Sequence, residues 1–261
     1  MAGKPPKKTG SKGASKGVSK GVSKGASKAG KLGTSSGRQL TVRVKKAKKL
    51  SKSSAQWLSR QLNDPYVHAA KRDGYRSRAA YKLIQLDEKF SLIKIGMRIV
   101  DLGAAPGGWS QVLSEKIFKT KSKDKQSQII ALDILPMEPL TDVTIFLSDF
   151  TSDDAPTQIR SVLNGKADLV LSDMAAPTTG HNATDHLRII GLAELAYDFA
   201  RSILAPKGAF VCKLFQGGAD KDLLITLKKD FVSVKHAKPA ASRSDSAETY
   251  IVAQGFRGIG L

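Results

Sequence analysis

Apolar side chains recur periodically along most of the chain, and the period changes from segment to segment. Between Arg76 and Phe90, the residues Ala79, Leu83, Leu86 and Phe90 return at three- and four-residue steps, the spacing that lines one face of an α-helix. Short apolar runs then alternate with helical patterns. Residues 97–102, 128–133, 143–148, 167–173, 209–215, 231–236 and 249–256 read as strands, and 107–119, 154–163, 184–204 and 219–229 as helices. On the long helix, Ile189, Leu192, Leu195, Ala196, Phe199 and Ile203 fall on one face, and Pro206 and Gly208 end it. This alternation predicts an α/β fold: a doubly wound, seven-stranded, mostly parallel sheet with helices on both faces. Such sheets bind ligands outside the carboxyl ends of their strands, so residues that close a strand carry most weight.

The amino-terminal segment breaks the pattern. From Ser11 a four-residue unit repeats as SKGA, SKGV, SKGV, SKGA and SKAG. A Gly in a helix costs about 1 kcal/mol against Ala, and the repeat offers no large apolar residue to bury. Disorder is therefore expected over 1–37, followed by a denser basic cluster from Arg43 to Lys52. The expected organisation is a basic arm, 1–52, joined to one domain, 53–261.

Charge follows the same division. The chain holds 43 Lys+Arg against 23 Asp+Glu, a net charge of +20, but residues 1–52 carry 16 of the basic side chains and no acid. The remainder carries 27 basic against 23 acidic residues, or +4. Lysines neutralise phosphates without a fixed geometry, so the arm reads as a polyanion tether. A solubilising tail and a mitochondrial presequence are the alternatives, although presequences favour Arg and an amphipathic stripe. The single Cys cannot form an internal disulfide. No apolar run approaches the roughly 20 residues of a membrane span, and Met1 leads into Lys and Gly. A cytoplasmic protein without a membrane partner is expected.

The sharpest chemical signal is Asp101-Leu-Gly-Ala-Ala-Pro-Gly-Gly-Trp109, between the first strand and the next helix. Gly103, Gly107 and Gly108 allow close backbone approach to a ligand, and the helix start offers free N–H groups. The dinucleotide pattern G-x-G-x-x-G is broken, because Ala105 stands where its second Gly belongs. Asp133, Asp149 and Asp173 each close a further strand. One such Asp commonly just caps a helix or opens a turn; four carboxylates in step with four strands suit a nucleoside-bearing cofactor, its charged part against Asp101 and Asp173.

Two lysines occupy apolar settings. Lys213 shares a strand face with Val211 and Phe215, and Lys82 sits on the apolar stripe of its helix, three residues after Ala79 and four before Leu86. Each is a site candidate, with snorkelling as the plain alternative. Glu248, just before the last strand, supplies a counter-charge. Lys71, Arg72, Arg76 and Arg78, interleaved with Tyr66, Tyr75 and Tyr81, suit phosphate contacts and base stacking, or else a solvated helix face with packed tyrosines. The four His residues show no metal-ligand spacing, so no metal is expected, and Cys212 reads as a core thiol.

DLGAAPGGWSQVL at 101–113, SRAAYKL at 77–83, LSDMAAP at 171–177, FVCKLFQG at 210–217 and SAETYIVA at 246–253 together resemble the FtsJ/RlmE family of S-adenosylmethionine-dependent ribosomal RNA 2′-O-ribose methyltransferases. The resemblance covers about 54–257 and leaves out the arm. It implies a Rossmann-like class I methyltransferase fold and a catalytic tetrad of Lys82, Asp173, Lys213 and Glu248. It implies cofactor contacts at Gly107, Trp109, Asp133, Asp149 and Asp173. The implied substrate is a uridine 2′-hydroxyl in the A-loop of the assembled large ribosomal subunit. Relatives acting on the tRNA anticodon loop tend to have Cys and Ser where Gly103 and Gly108 stand here, which favours the ribosomal branch. Lys213 is assigned as base or proton acceptor, with orientation of the ribose as its competing role. A monomer that binds no DNA is expected. The alternatives are a methyltransferase acting on tRNA or another RNA, and a ribosome-assembly module without turnover.

Overall fold

The apolar runs pair with one another. In the computed structural model, which describes Met1, Gly3 and residues 42–44, 51–118, 127–217 and 220–258, they form one sheet. Its strands are β1 (Arg98–Leu102), β2 (Gln128–Asp133), β3 (Thr144–Leu147), β4 (Ala167–Ser172), β5 (Leu204–Phe215), β6 (Phe231–Ala237) and β7 (Glu248–Phe256). Among the described residues this is a seven-stranded sheet in the order β3-β2-β1-β4-β5-β7-β6. Neighbours from β3 to β5 run parallel, and β7 runs antiparallel to both β5 and β6. The disorder expected over 1–37 falls, Met1 and Gly3 apart, outside the described residues, as do Lys45–Lys49 of the basic cluster.

Helices cover both faces, which is why the strands read as unbroken apolar runs instead of alternating ones. They are α1 (Lys52–Leu62), α2 (Pro65–Asp73), α3 (Ala79–Phe90), α4 (Gly108–Phe118), α5 (Asp154–Val162), α6 (Asn182–Ile203) and α7 (Lys221–Asp230). On one face α3 and α4 bury Leu83, Leu86, Val112 and Leu113 against Ile99, Leu171, Val211 and Val252. On the other, α5, α6 and α7 bury Ile159, Ala196, Phe199 and Leu227 against Val100, Val170, Phe210 and Ile251. Along β5 the alternation is explicit: Val211 belongs to the first cluster, Phe210 and Cys212 to the second.

Several boundaries differ from expectation for identifiable reasons. The helices α1 and α2 were not anticipated, although their capping signals stand in the sequence. The Ser51 hydroxyl accepts from Ser54 N at 3.1 Å, and the Asp64 carboxylate accepts from Tyr66 N at 3.0 Å. Pro65 opens α2, and Gly74, at φ +79°, closes it in the left-handed conformation. On α6, Ile190, Ala193, Tyr197 and Ala200 are buried, whereas Leu195 is 38% exposed and Leu192 half-buried. These two leucines border a cleft instead of packing on the sheet. β5 begins at Leu204, so Pro206 and Gly208 lie inside it; the register slips between the pairs Ala167–Leu204 and Leu169–Ala209, which absorbs the extra residues. Phe215, at the strand's end, packs with the cluster opposite to Val211. No helix among the described residues is long and apolar enough to cross a membrane.

Candidate active site

The antiparallel pairing of β5 with β7 sets Lys213 directly opposite Tyr250 and Phe215 opposite Glu248. Glu248 and Tyr250, two apart on one strand, share a face, so Lys213, Tyr250 and Glu248 project together. From the helix packed on that face, Lys82 donates to Glu248 Oε2 at 2.8 Å and to Tyr250 Oη at 3.2 Å. Asp173, the first residue after β4, accepts from Tyr250 Oη at 2.7 Å through Oδ1. The Lys213 ammonium lies 3.2 Å from the same oxygen and donates to the Asp173 carbonyl at 2.5 Å. The four expected tetrad residues are thus one connected group, with Tyr250 at its centre. Both lysine side chains are less than a tenth exposed, so neither head snorkels into water.

The electrostatics follow from burial and pairing. Burial works to raise the Asp173 pKa, but Lys213, Lys82 and the Tyr250 hydrogen bond outweigh it and hold the carboxyl below its usual value. The Tyr250 hydroxyl is pushed well above the usual phenol value, by burial first and then by the charges of Asp173 and Glu248. Ser242, in the loop between β6 and β7, donates to Glu248 Oε1 at 2.7 Å. Ala241 N in turn donates to Gln85 on α3 at 2.8 Å, which ties that loop to the helix carrying Lys82. Tyr250 and Ser242 were absent from the expected site. Period-2 spacing from Glu248 marks Tyr250, whereas nothing local marks Ser242.

Beside this group, at the carboxyl ends of β1 to β4, opens a mostly apolar cleft of about 470 Å³ bordered by Gly103, Asp133, Asp149, Met174, Leu192 and Leu195. Asp133 accepts backbone N–H bonds from Ala105 and Leu135, both at 2.8 Å, one on each oxygen. Each oxygen keeps a lone pair for a further donor. Asp149 Oδ1 accepts from the Thr151 amide and hydroxyl at 2.9 and 2.7 Å, which lowers its pKa. A Cβ on Gly103 would lie 2.7 Å from the backbone of Met174, so the Asp101 and Asp173 loops meet there only because the side chain is missing.

Gly107, Trp109 and Asp173 are not among the residues that line this cleft, and neither is Asp101. Gly107, at φ +102°, accepts from Gln111 N and turns the loop into α4. The Trp109 indole donates to Ala79 O at 2.8 Å, and its ring packs 5.7 Å from that of Tyr250. Asp101 is fully buried; its Oδ2 accepts from the Ser110 hydroxyl at 2.6 Å, and its Oδ1 has no hydrogen-bond partner among the described residues. Burial, with Asp173 and Asp133 nearby, pushes Asp101 up to about 7. An orphaned carboxylate oxygen, a rigid paired acceptor at Asp133 and an apolar wall fit a cofactor with a cationic end, a ribose and a flat base.

The basic stretch before α3 is built differently from the expected RNA face. Arg76 donates to the carbonyls of Pro106, Glu138 and Pro139, and so pins the loop after β2. Arg72 is bonded to Asp73, and Arg78 to Ala241 O. The rings of Tyr66 and Tyr75 pack against Tyr81 at 5.4 and 5.6 Å. Three carbonyl oxygens, each with partial negative charge, thus commit the Arg76 guanidinium to holding this loop. Cys212 is a buried thiol, pushed up to about 12 by burial. Among the described residues, no group of three His, Cys, Asp or Glu side chains could hold a metal ion.

Comparison with known proteins agrees with this geometry. Residues 75–256 match the family model described as FtsJ-like methyltransferase. The chain is 60% identical over 221 residues to ribosomal RNA large subunit methyltransferase E of Paramagnetospirillum magneticum, covering 85% of this chain and 90% of that protein. The protein of the same name from Azorhizobium caulinodans is also 60% identical, with 85% and 91% covered. A crystal structure described as that of a ribosomal RNA methyltransferase from Plasmodium falciparum superimposes with a TM-score of 0.61 at 32% identity, over 71% of this chain and 100% of that one. The matched span runs from just before α3 to the end of β7 and holds both the cleft and the connected lysines and carboxylates: the chain belongs to the FtsJ-like methyltransferase family.

Proposed function

We propose that this protein transfers a methyl group from S-adenosylmethionine to the 2′-hydroxyl of a uridine ribose in the A-loop of large-subunit ribosomal RNA, acting as a cytoplasmic monomer on the assembled large subunit. The observation that carries this reading is the connected group Lys82–Glu248–Tyr250–Asp173–Lys213 beside the cleft. A binding module without turnover has no use for two lysines held in so dry a setting. The names of the relatives support ribosomal RNA as the substrate.

S-adenosylmethionine supplies an electrophilic methyl on a sulfonium centre. Asp133 binds the ribose hydroxyls of that cofactor, Asp149 its base, and Asp101 and Asp173 lie toward its charged end. Gly107 shapes the loop beneath it, and Trp109 holds that loop against α3 and Tyr250. The target hydroxyl must lose a proton as it attacks in line, and a group with a free lone pair must stand beside it to accept that proton. Lys213 makes two hydrogen bonds, to the carbonyl and the carboxylate of Asp173. The Lys213 ammonium that pairs with Asp173 first gives one proton to solvent; the amine left behind has two N–H donors for these two bonds and a lone pair to take the proton of the 2′-hydroxyl. Lys82 and Glu248 orient the ribose, and Tyr250 keeps Asp173 and Glu248 in one arrangement.

The test is mass analysis of nuclease-digested RNA after incubation with S-adenosylmethionine, comparing large subunits that lack the modification with tRNA. One added methyl on a uridine of large-subunit RNA is expected, with tRNA unchanged; methyl on tRNA alone overturns the reading. In the same assay Lys213→Arg, which stays protonated, lowers the single-turnover rate by roughly 10²–10⁴-fold while cofactor binding persists. Near-normal activity of Lys213→Arg removes the general-base role.

A further inference from the structure

Glu248 borders a space distinct from the cleft. Besides its contacts with Lys82 and Ser242, it lines a second, polar hollow of about 230 Å³ together with Arg60, Arg78, Arg243, Asp245 and Ser246. Three guanidiniums here answer to few carboxylates. Arg78 and Arg243 reach the same oxygen of Asp64, at 3.0 and 3.2 Å, and the Asp64 side chain is only 6% exposed. The nearest acid to Arg60 is Asp245, at 4.0 Å, and its side chain is 65% exposed. The charge of Glu248 is engaged by Lys82. Four cations, Arg60, Arg78, Arg243 and Lys82, thus meet three acids, Asp64, Asp245 and Glu248, and burial together with the second guanidinium of Arg243 outweighs Asp64 and Glu248 to lower the Arg78 pKa.

The arginines are also held in place. Arg78 donates to Ala241 O at 2.5 Å and Arg243 to Gln61 Oε1 at 3.1 Å. They come from three separate parts of the chain: α1, the residue before α3, and the loop between β6 and β7. Fixed guanidinium forks around an anion-sized space beside a ribose-orienting carboxylate match the geometry of a phosphodiester.

We propose that this arginine-lined hollow binds a phosphodiester of the substrate RNA flanking the target ribose. The inference rests on the reading of the adjoining group as a ribose methylation site, and it adds what the basic stretch around α2 does not provide. Held by two arginines, the backbone next to the target sets where the 2′-hydroxyl falls relative to Lys213.

The experiment measures KM for large subunits lacking the modification as a function of salt, using the full chain and Arg60→Gln, Arg243→Gln and Arg243→Lys. Each lost phosphate contact lowers the slope of log KM against log salt by about 0.7–0.9. Both Gln variants are expected to show that loss and a raised KM at low salt, with S-adenosylmethionine affinity unchanged. Arg243→Lys keeps the slope, because a point charge still releases counterions. Arg60 is about half exposed, so its variant spares the fold even if Arg243→Gln lowers Tm. Unchanged slopes in both Gln variants overturn the proposal and leave the methyl-transfer reading standing. If the wild type methylates no large subunit, that reading falls instead; the same slopes, read from equilibrium binding to whichever RNA accepts the methyl, still decide the phosphate site.

Discussion

Asp101 is a carboxyl group that folding moves out of water completely, with one oxygen bonded to Ser110 and the other without a hydrogen-bond partner among the described residues. Its pKa rises from 3.8 to about 7. The folded protein therefore holds this proton over a range in which the unfolded chain has released it. The resulting stabilisation is complete below the unfolded value of 3.8 and is lost as pH rises toward 7. Over the whole window the loss amounts to roughly 4 kcal/mol, at about 1.4 kcal/mol per unit. Asp173, whose pKa is lowered, contributes in the opposite sense, and its share is already established above the ordinary carboxylate range. Thermal unfolding of wild type and Asp101→Asn at about pH 5 and about pH 8 reads this directly. The Asn variant is expected to gain several degrees on the wild type at the higher pH, whereas parallel behaviour would mean that Asp101 is ionised throughout.

Strand ends and the loops that follow them decide which side chains meet. Gly103, at φ +73°, brings the loop after β1 against the loop after β4, and a Cβ there would strike Met174 N and Cα at 2.7 Å. Gly74 has a similar φ of +79° but open space around it. A Gly103→Ala substitution adds a backbone collision to the roughly 1–2 kcal/mol cost of the left-handed conformation, which is all that Gly74→Ala pays. Urea unfolding should show a loss of about 1 kcal/mol or slightly more for Gly74→Ala and at least twice that for Gly103→Ala. Equal losses would show that the two loops can separate. Elements also explain where the expectation was incomplete. The periodicity of α3 and the apolar runs of β1, β2, β4 and β7 located those elements within a residue or two, because burial on both faces leaves an unmistakable pattern. α1 and α2 escaped because their signal is capping chemistry at Ser51, Asp64 and Gly74, and not an apolar stripe.

At the scale of the molecule, charge and chemistry are segregated. The part after residue 52 carries +4 of the total +20, and its decisive charges are the few held in dry surroundings. We propose that the lysine-rich arm tethers the enzyme to RNA electrostatically. Val42 exchanges two hydrogen bonds with the Asn63 side chain, at 2.8 and 3.0 Å, so a truncation that removes 1–41 leaves this contact intact. The truncated protein is expected to bind RNA with a flatter dependence on log salt and an unchanged single-turnover rate; an unaltered slope assigns the arm a solubilising role. The sequence by itself determined the α/β alternation and the family motifs, and singled out Lys82, Asp173, Lys213 and Glu248 as candidates, because periodicity, strand-end acids and motifs are local properties of a chain. Only the tertiary structure decided that Tyr250 joins them and that Ser242 anchors Glu248. It also committed Arg76 to holding a loop, and turned Arg78 and Arg243 toward one shared carboxylate. Those outcomes depend on the antiparallel register of β5 with β7 and on a loop packed against α3 from some 160 residues away, and spacing along one strand or helix carries no record of such contacts.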